Sequence, residues 1–322
     1  MSATAKQLEQ TLEKLESKSE RLKVMLDLVM LYGNDNFLEG CKLANEAIAI
    51  AQDLKDDENL AKAYEGFAAC AWKLAEYTLS LEYYANGLEI FAKTGDKFGI
   101  ARCYCGMGII CGSTEQYQTA LDYFEAGLEN AQADNQVEFS ATILGNIGHV
   151  YFNFGQYQKA REFFEKALAH YQELNVIEGA ANMLGGIAGV HVYMGEYFLG
   201  LEMVRKALKL NKQVKSKHGV VISLMNIGIT LGKMGRLQEA EASLLEGLEF
   251  CKSINLKSNE QPLVAELIKL YGLMGNQEQQ QFYNNLYEEG RREEETASVK
   301  RKNEQLKQRS ELQLLKRNQE IT

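Results

Sequence analysis

Apolar and small side chains recur at helical spacing along this chain, and the helical pattern itself repeats every 40 residues. The stretch ATILGNIGHVYFNFGQYQKAREFFEKALAHYQEL, from Ala141 to Leu174, shows the unit most clearly. Gly148 and Tyr151 fall on a first helix, and Gly155-Gln156 breaks it, because glycine takes the left-handed cap conformation without a Cβ penalty. A second helix then carries Tyr157, Ala160, Phe164, Ala167 and Leu168 on one face. Helix, tight turn, helix is the predicted unit.

The copies are in register along the chain. Phe37, Tyr77, Tyr117, Tyr157, Tyr197, Leu237 and Gln277 occupy equivalent positions. Units that bury apolar surface only against their neighbours build an open array, so the fold class is all-α: an α-solenoid of about seven helix-turn-helix repeats with a concave surface and a C-terminal extended helix. One column of small residues reads Ala68, Gly108, Gly148, Ala188, Gly228, and its partner on the second helices reads Gly40, Ser80, Ala120, Ala160, Gly200, Ala240. Small residues on both helices predict close backbone approach, which must offset roughly 0.5–1 kcal/mol for each helix-interior glycine. A third column, Ala47, Gly87, Gly127, Ala167, Ala207, Gly247, is expected to pack in the same way against the next repeat.

The order G-x-x-Y, then G-x-Y-x-x-A-x-x-x-F-x-x-A-L, read from Gly148 to Leu168, closely resembles the tetratricopeptide repeat (TPR) in its lengthened form of about 40 residues. The resemblance runs over about residues 18–289. The proline that often ends the second helix in that family is absent. The single proline, Pro262, stands near a helix start, where a missing N–H costs little. The expected organisation is an N-terminal capping helix over 1–20, a TPR superhelix over 21–289 with a degenerate last copy, and a charged helical tail over 290–322. Val299 and Leu306 are one heptad apart in the tail, but Gln313 follows, so a coiled coil and a weak homodimer through this helix are only faintly encoded.

Charge and composition narrow the function. Apolar residues make up 46% and charged residues 25%, values of a packed, soluble protein. The formal charge of -9 argues against nucleic acid as a partner, since phosphate contacts need clustered Lys and Arg. Residues 291–322 carry a net +3 and the remainder a net -12. The N-terminus has no apolar signal core, and no apolar run reaches the ~20 residues that span a bilayer, so a cytoplasmic location and no membrane insertion are expected.

Catalytic chemistry is not encoded in any recognisable pattern. Cys103, Cys105 and Cys111 crowd one helix, yet Cys-x-Cys on a helix aims its thiols apart, so no metal and no cofactor are expected. His149, His170, His191 and His218 have no triad partner at a convincing spacing, and His191 reads as a packing residue. Each helical glycine pair, such as Gly185-Gly186, is assigned to packing. The chain is expected not to be an enzyme.

By resemblance to the family, partners bind on the concave face, at particular first-helix positions. Here those positions include Glu65, Cys105, Gly185 and Met225, then Ile109, His149, Gly189 and Ile229, then Trp72, Phe152, Val192 and Gly232. Asn146 and Asn226 stand in a neighbouring column, and Arg102 and Asn182 in another. Such a groove is apolar and glycine-rich with a few amide donors, which suits an apolar or amphipathic protein or peptide segment. The competing reading, in which these residues pack the superhelix closed, stays open. An array followed by a charged helix resembles the N-terminal sensory half of bacterial TPR signalling proteins. The alternative is a stand-alone peptide receptor or adaptor similar to pheromone-binding TPR regulators.

Overall fold

The computed structural model describes residues 3–32, 36–254, 256 and 259–292, with single positions at 295, 307 and 310. Helix is the only regular structure among them, in two compact units that divide between Gln136 and Val137. The first unit holds α1 (Ala3–Leu12), α2 (Lys18–Tyr32), α3 (Phe37–Leu54), α4 (Asp57–Lys73), α5 (Tyr77–Thr94), α6 (Lys97–Ser113) and α7 (Tyr117–Ala133). The second holds α8 (Val137–Asn153), α9 (Tyr157–Glu173), α10 (Ile177–Tyr193), α11 (Tyr197–Gln213), α12 (Lys217–Lys233), α13 (Leu237–Ser253) and α14 (Glu260–Met274), followed by a helical stretch over 277–292. The charged tail expected over 290–322, with its coiled coil and dimer contact, lies almost entirely outside the described residues.

From Phe37 to Leu237 a new helix starts every 20 residues. The reason is a left-handed residue at each turn: Lys55, Ala75, Gly95, Glu115, Asn135, Gly155, Asn175, Gly195, Lys215, Gly235 and Gly275 all have φ between 53° and 80°. One such residue ends a helix and turns the backbone toward the next. Asp56, Asp96 and Ser216 then accept hydrogen bonds from the backbone N–H groups of Asn59, Gly99 and Gly219, which satisfies donors that α4, α6 and α12 would otherwise leave open.

In three repeats the two small columns meet as expected. Ser80 Oγ donates to the Ala68 carbonyl at 2.7 Å. A Cβ on Gly200 would lie 3.2 Å from the Ala188 carbonyl oxygen, and one on Gly228 would lie 3.3 Å from that of Ala240. The first-helix glycines also accommodate large side chains of the second helix: Cβ atoms on Gly108, Gly148 and Gly228 would stand 2.8, 2.7 and 2.5 Å from Phe124, Phe164 and Leu244. The third column is corrected. Gly127 faces Ala101 and Tyr104 of its own repeat, and Gly87 faces Ala61 of its own repeat as well as Cys103 of the next, so this column does not serve the next repeat alone.

At one end of the first unit α1 packs on α2, where Ala5, Leu28 and Tyr32 are buried together and the Tyr32 hydroxyl donates to Glu9. In the second unit Tyr271 stacks on Tyr283 at 5.4 Å and donates a 2.6 Å hydrogen bond to Glu241.

Candidate functional site

First helices contact first helices inside each unit: α2, α4 and α6 in the first, α8, α10, α12 and α14 in the second. Along the second set lies a cavity of about 540 Å3. Its walls are Ala188, Gly189, Val192 and Tyr193 of α10, Asn226, Ile229 and Lys233 of α12, and Leu270 and Leu273 of α14. The volume is in the range of sites that bury a small ligand or a few side chains.

Of the residues expected in the groove, Gly189, Val192, Asn226, Ile229 and Gly232 line this cavity. Phe152 stands beside it, with its ring 3.7 Å from where a Gly189 Cβ would be. Phe152, Tyr157 and Tyr193 form an aromatic corner, with Phe152 edge-on to Tyr193 at 5.2 Å and Tyr157 stacked on Tyr193 at 5.4 Å. His149 lies one turn before Phe152 and meets Phe164 edge-on at 4.8 Å. The residue is exposed, and desolvation by the protein around its ring lowers its pKa from the usual histidine value. Asn146 and Met225 are half-buried and Asn182 is exposed; Met225 packs against the unit's core.

The first unit treats its share of the expected residues differently. Arg102 on α6 grips Glu65 on α4 through two bonds, Nε to Oε1 at 2.8 Å and Nη2 to Oε2 at 3.0 Å, so each satisfies the other. The guanidinium also stands 4.5 Å over the Phe98 ring. Trp72 is half-buried against the core, with Lys73 Nζ 4.0 Å over its ring, and Ile109 is half-buried. Cys105 is corrected from groove to core: it is only 5% exposed.

Several cavity residues escaped the sequence reading. Tyr193 and Lys233 stand one position beyond the last column assigned to the groove, at the ends of α10 and α12, and Glu266, Lys269, Leu270 and Leu273 belong to the degenerate last copy. The signal for the first two was present, since both occupy the column of Lys73 in the 40-residue register. Lys269 is tied to Glu266 at 2.6 Å, whereas Lys233 makes no ion pair among the described residues.

Other chemistry is sparse. All six cysteines are free and buried, and burial raises the Cys103 thiol pKa far above the usual range. His191 is a packing residue, buried and joined through Nδ1 to Glu196 at 2.6 Å. Among the described residues no group of three or more His, Cys, Asp or Glu is placed to hold a metal, and no helix is long and apolar enough to cross a membrane.

Comparison with known proteins agrees with this architecture. No curated protein sequence matches the chain. Among solved structures, the chain is similar to the Signal Transduction ATPase with Numerous Domains (STAND) protein with a tetratricopeptide repeat sensor from Pyrococcus horikoshii, at 15% identity and a TM-score of 0.74 over 91% of this chain and 45% of that one. The chain thus spans less than half the length of that protein. It is also similar to aspartyl phosphate phosphatase F from Bacillus subtilis, at 17% identity and a TM-score of 0.66 over 84% of this chain and 71% of that one. A third likeness is to the Rap conjugation gene regulator of the plasmid pLS20 in complex with the Phr peptide, at 14% identity and a TM-score of 0.58 over 87% of this chain and 78% of that one. At these identities the likeness concerns the fold. One tetratricopeptide repeat model matches residues 59–133 and 179–253 and another matches 141–174, together more than half of the sequence. With helix pairs in the same register, the chain belongs to the tetratricopeptide repeat family.

Proposed function

We propose that this chain is a non-catalytic scaffold that binds a peptide or protein segment, and that the cavity of the second unit with its aromatic corner is the binding site. The observation that carries the reading is an open apolar cavity between first helices whose inner faces would otherwise have to be closed by side chains. Within that reading the array serves as the sensory part of a cytoplasmic bacterial signalling protein; the likeness to a STAND protein with a tetratricopeptide repeat sensor supports the sensory role. A second reading, a free-standing peptide receptor, is favoured by the likeness to a Rap regulator bound to a peptide, which extends over most of both chains.

Panning a random peptide library against the intact chain, followed by binding of the selected peptides to Ile229→Ser and Phe152→Ser, tests the shared claim. Selected peptides should bind the parent and lose affinity at least tenfold for the variants, about 1.4 kcal/mol, while helicity is retained. Peptides that bind all three proteins equally would remove the cavity as the site.

A further inference from the structure

Glycines within the helices differ widely in what surrounds them. Cβ atoms on Gly106, Gly108, Gly148, Gly200 and Gly228 would come within 2.3–2.8 Å of neighbouring side chains, so packing requires those glycines. On Gly185 a Cβ meets nothing within 4 Å, on Gly189 only Phe152 at 3.7 Å, and on Gly232 only Leu270 at 3.9 Å. These three lie on α10 and α12, and Gly189 and Gly232 line the cavity. A glycine inside a helix weakens it relative to alanine, and at Gly185 and Gly189 no neighbour explains it, while Gly232 is the last residue but one of α12. What the missing side chains preserve is open space.

The rim of that space is charged unevenly. Glu266 is joined to Lys269, which leaves Lys233 as the uncompensated charge of the lining, on a chain whose formal net charge is -9. The floor is apolar, formed by Ala188, Val192, Ile229 and Leu270. An occupant complementary to both is apolar and carries one negative charge beside its apolar part.

We propose that the cavity takes an apolar peptide segment bearing an aspartate or glutamate next to its apolar anchor, with Lys233 pairing the carboxylate and the Gly189 and Gly232 walls admitting the anchor. This rests on the peptide-binding reading above. It adds the charge of the ligand and the residue that selects it.

Two dyes that differ by a single sulfonate separate the two components: 1-anilinonaphthalene-8-sulfonate, an apolar anion, and N-phenyl-1-naphthylamine, its neutral analogue. Both should bind the intact chain. Lys233→Gln should weaken the anionic dye about fivefold, the scale of a partly exposed ion pair, and leave the neutral dye unchanged. Gly232→Leu or Gly189→Leu should weaken both dyes by more than about tenfold by filling the cavity. Neither adds a Cβ clash, and a melting curve of each variant checks that it folds. A pool of random octapeptides of Leu, Phe, Ala and Glu should then displace the anionic dye better than a pool with Gln in place of Glu. If Lys233→Gln alters both dyes equally or neither, or if the two pools compete equally, the acidic assignment fails and the apolar peptide reading survives. If the leucine variants bind both dyes like the parent, the cavity is not a binding site and both readings fall. Displacement by a fatty acid but by neither pool reassigns the cavity to small apolar anions and overturns the proposal.

Discussion

Arg102 and Glu65, 37 residues apart, close a two-bond fork between α6 and α4, with only 25% and 19% of their side-chain surface exposed. Removing one partner leaves the other charge half-buried without compensation. Glu65→Gln or Arg102→Met should each destabilise by about 1–3 kcal/mol, and the double variant by less than the sum of the two. A thermal-melt double-mutant cycle reads the coupling directly. Additive losses would show that the fork contributes nothing to the joint between these helices.

Glycine position decides the sign of a substitution. Gly148→Leu drives a side chain into Phe164 and Gly228→Leu drives one into Leu244, so each should cost about 1–3 kcal/mol through overpacking. Gly185→Ala meets open space and should stabilise by about 0.5–1 kcal/mol through helix propensity. Chemical denaturation of the three proteins checks the contrast. Equal effects at Gly148 and Gly185 would refute the division into required and free glycines.

Two turns carry ordinary residues where later repeats carry glycine. Ala75 and Glu115 sit at φ 60° and 61°, in the register of Gly155, Gly195, Gly235 and Gly275. A left-handed residue with a Cβ is strained, partly offset by the lower chain entropy of the unfolded state compared with glycine. Ala75→Gly and Glu115→Gly should each stabilise by about 0.5–1 kcal/mol, visible as raised melting temperatures. Unchanged or lowered melts would mean that the surrounding repeat relieves the strain.

With the cavity as the proposed binding site, His149 should link its occupancy to pH. Desolvation holds its folded pKa below the unfolded value, so protonation favours the unfolded chain. Its cost is absent at pH values above both pKa values and appears as pH falls through the unfolded value, near 6.5. His149→Gln should therefore flatten the loss of stability between about pH 7 and pH 5. An apolar ligand seated beside Phe152 should lower the histidine pKa further, as followed by NMR titration of the ring proton; a ligand that raises it would place negative charge at His149 instead of Lys233.

Self-association through the tail is open to a simple measurement. The intact chain should dimerise weakly, and a version ending at Glu289 should stay monomeric, in light scattering over a concentration series. Identical monomer masses would remove the tail from any association.

Much of this protein is legible in its sequence because a solenoid is built from local signals. The 20-residue spacing of helix starts, the turns at Gly155 and its equivalents, and the meeting of Ala68 with Ser80 and Ala188 with Gly200 all follow from residues close in sequence. A periodic pattern places side chains on a helix face. It does not say how much room that face has, because the room depends on the bulk presented by the neighbouring helices. The sequence set Gly185 in a groove column and yet explained it, like Gly186, by packing, whereas only Gly186 has a neighbour, Phe164 at 3.0 Å. The same limit placed Cys105 in the groove when the surrounding helices bury it, and left Arg102 and Glu65 as separate groove residues when their helices bring them into one ion pair. The turns, the helices and their pairing were set by local sequence. Which faces close into core and which stay open was decided by the volumes of residues far apart in the chain, through tertiary packing.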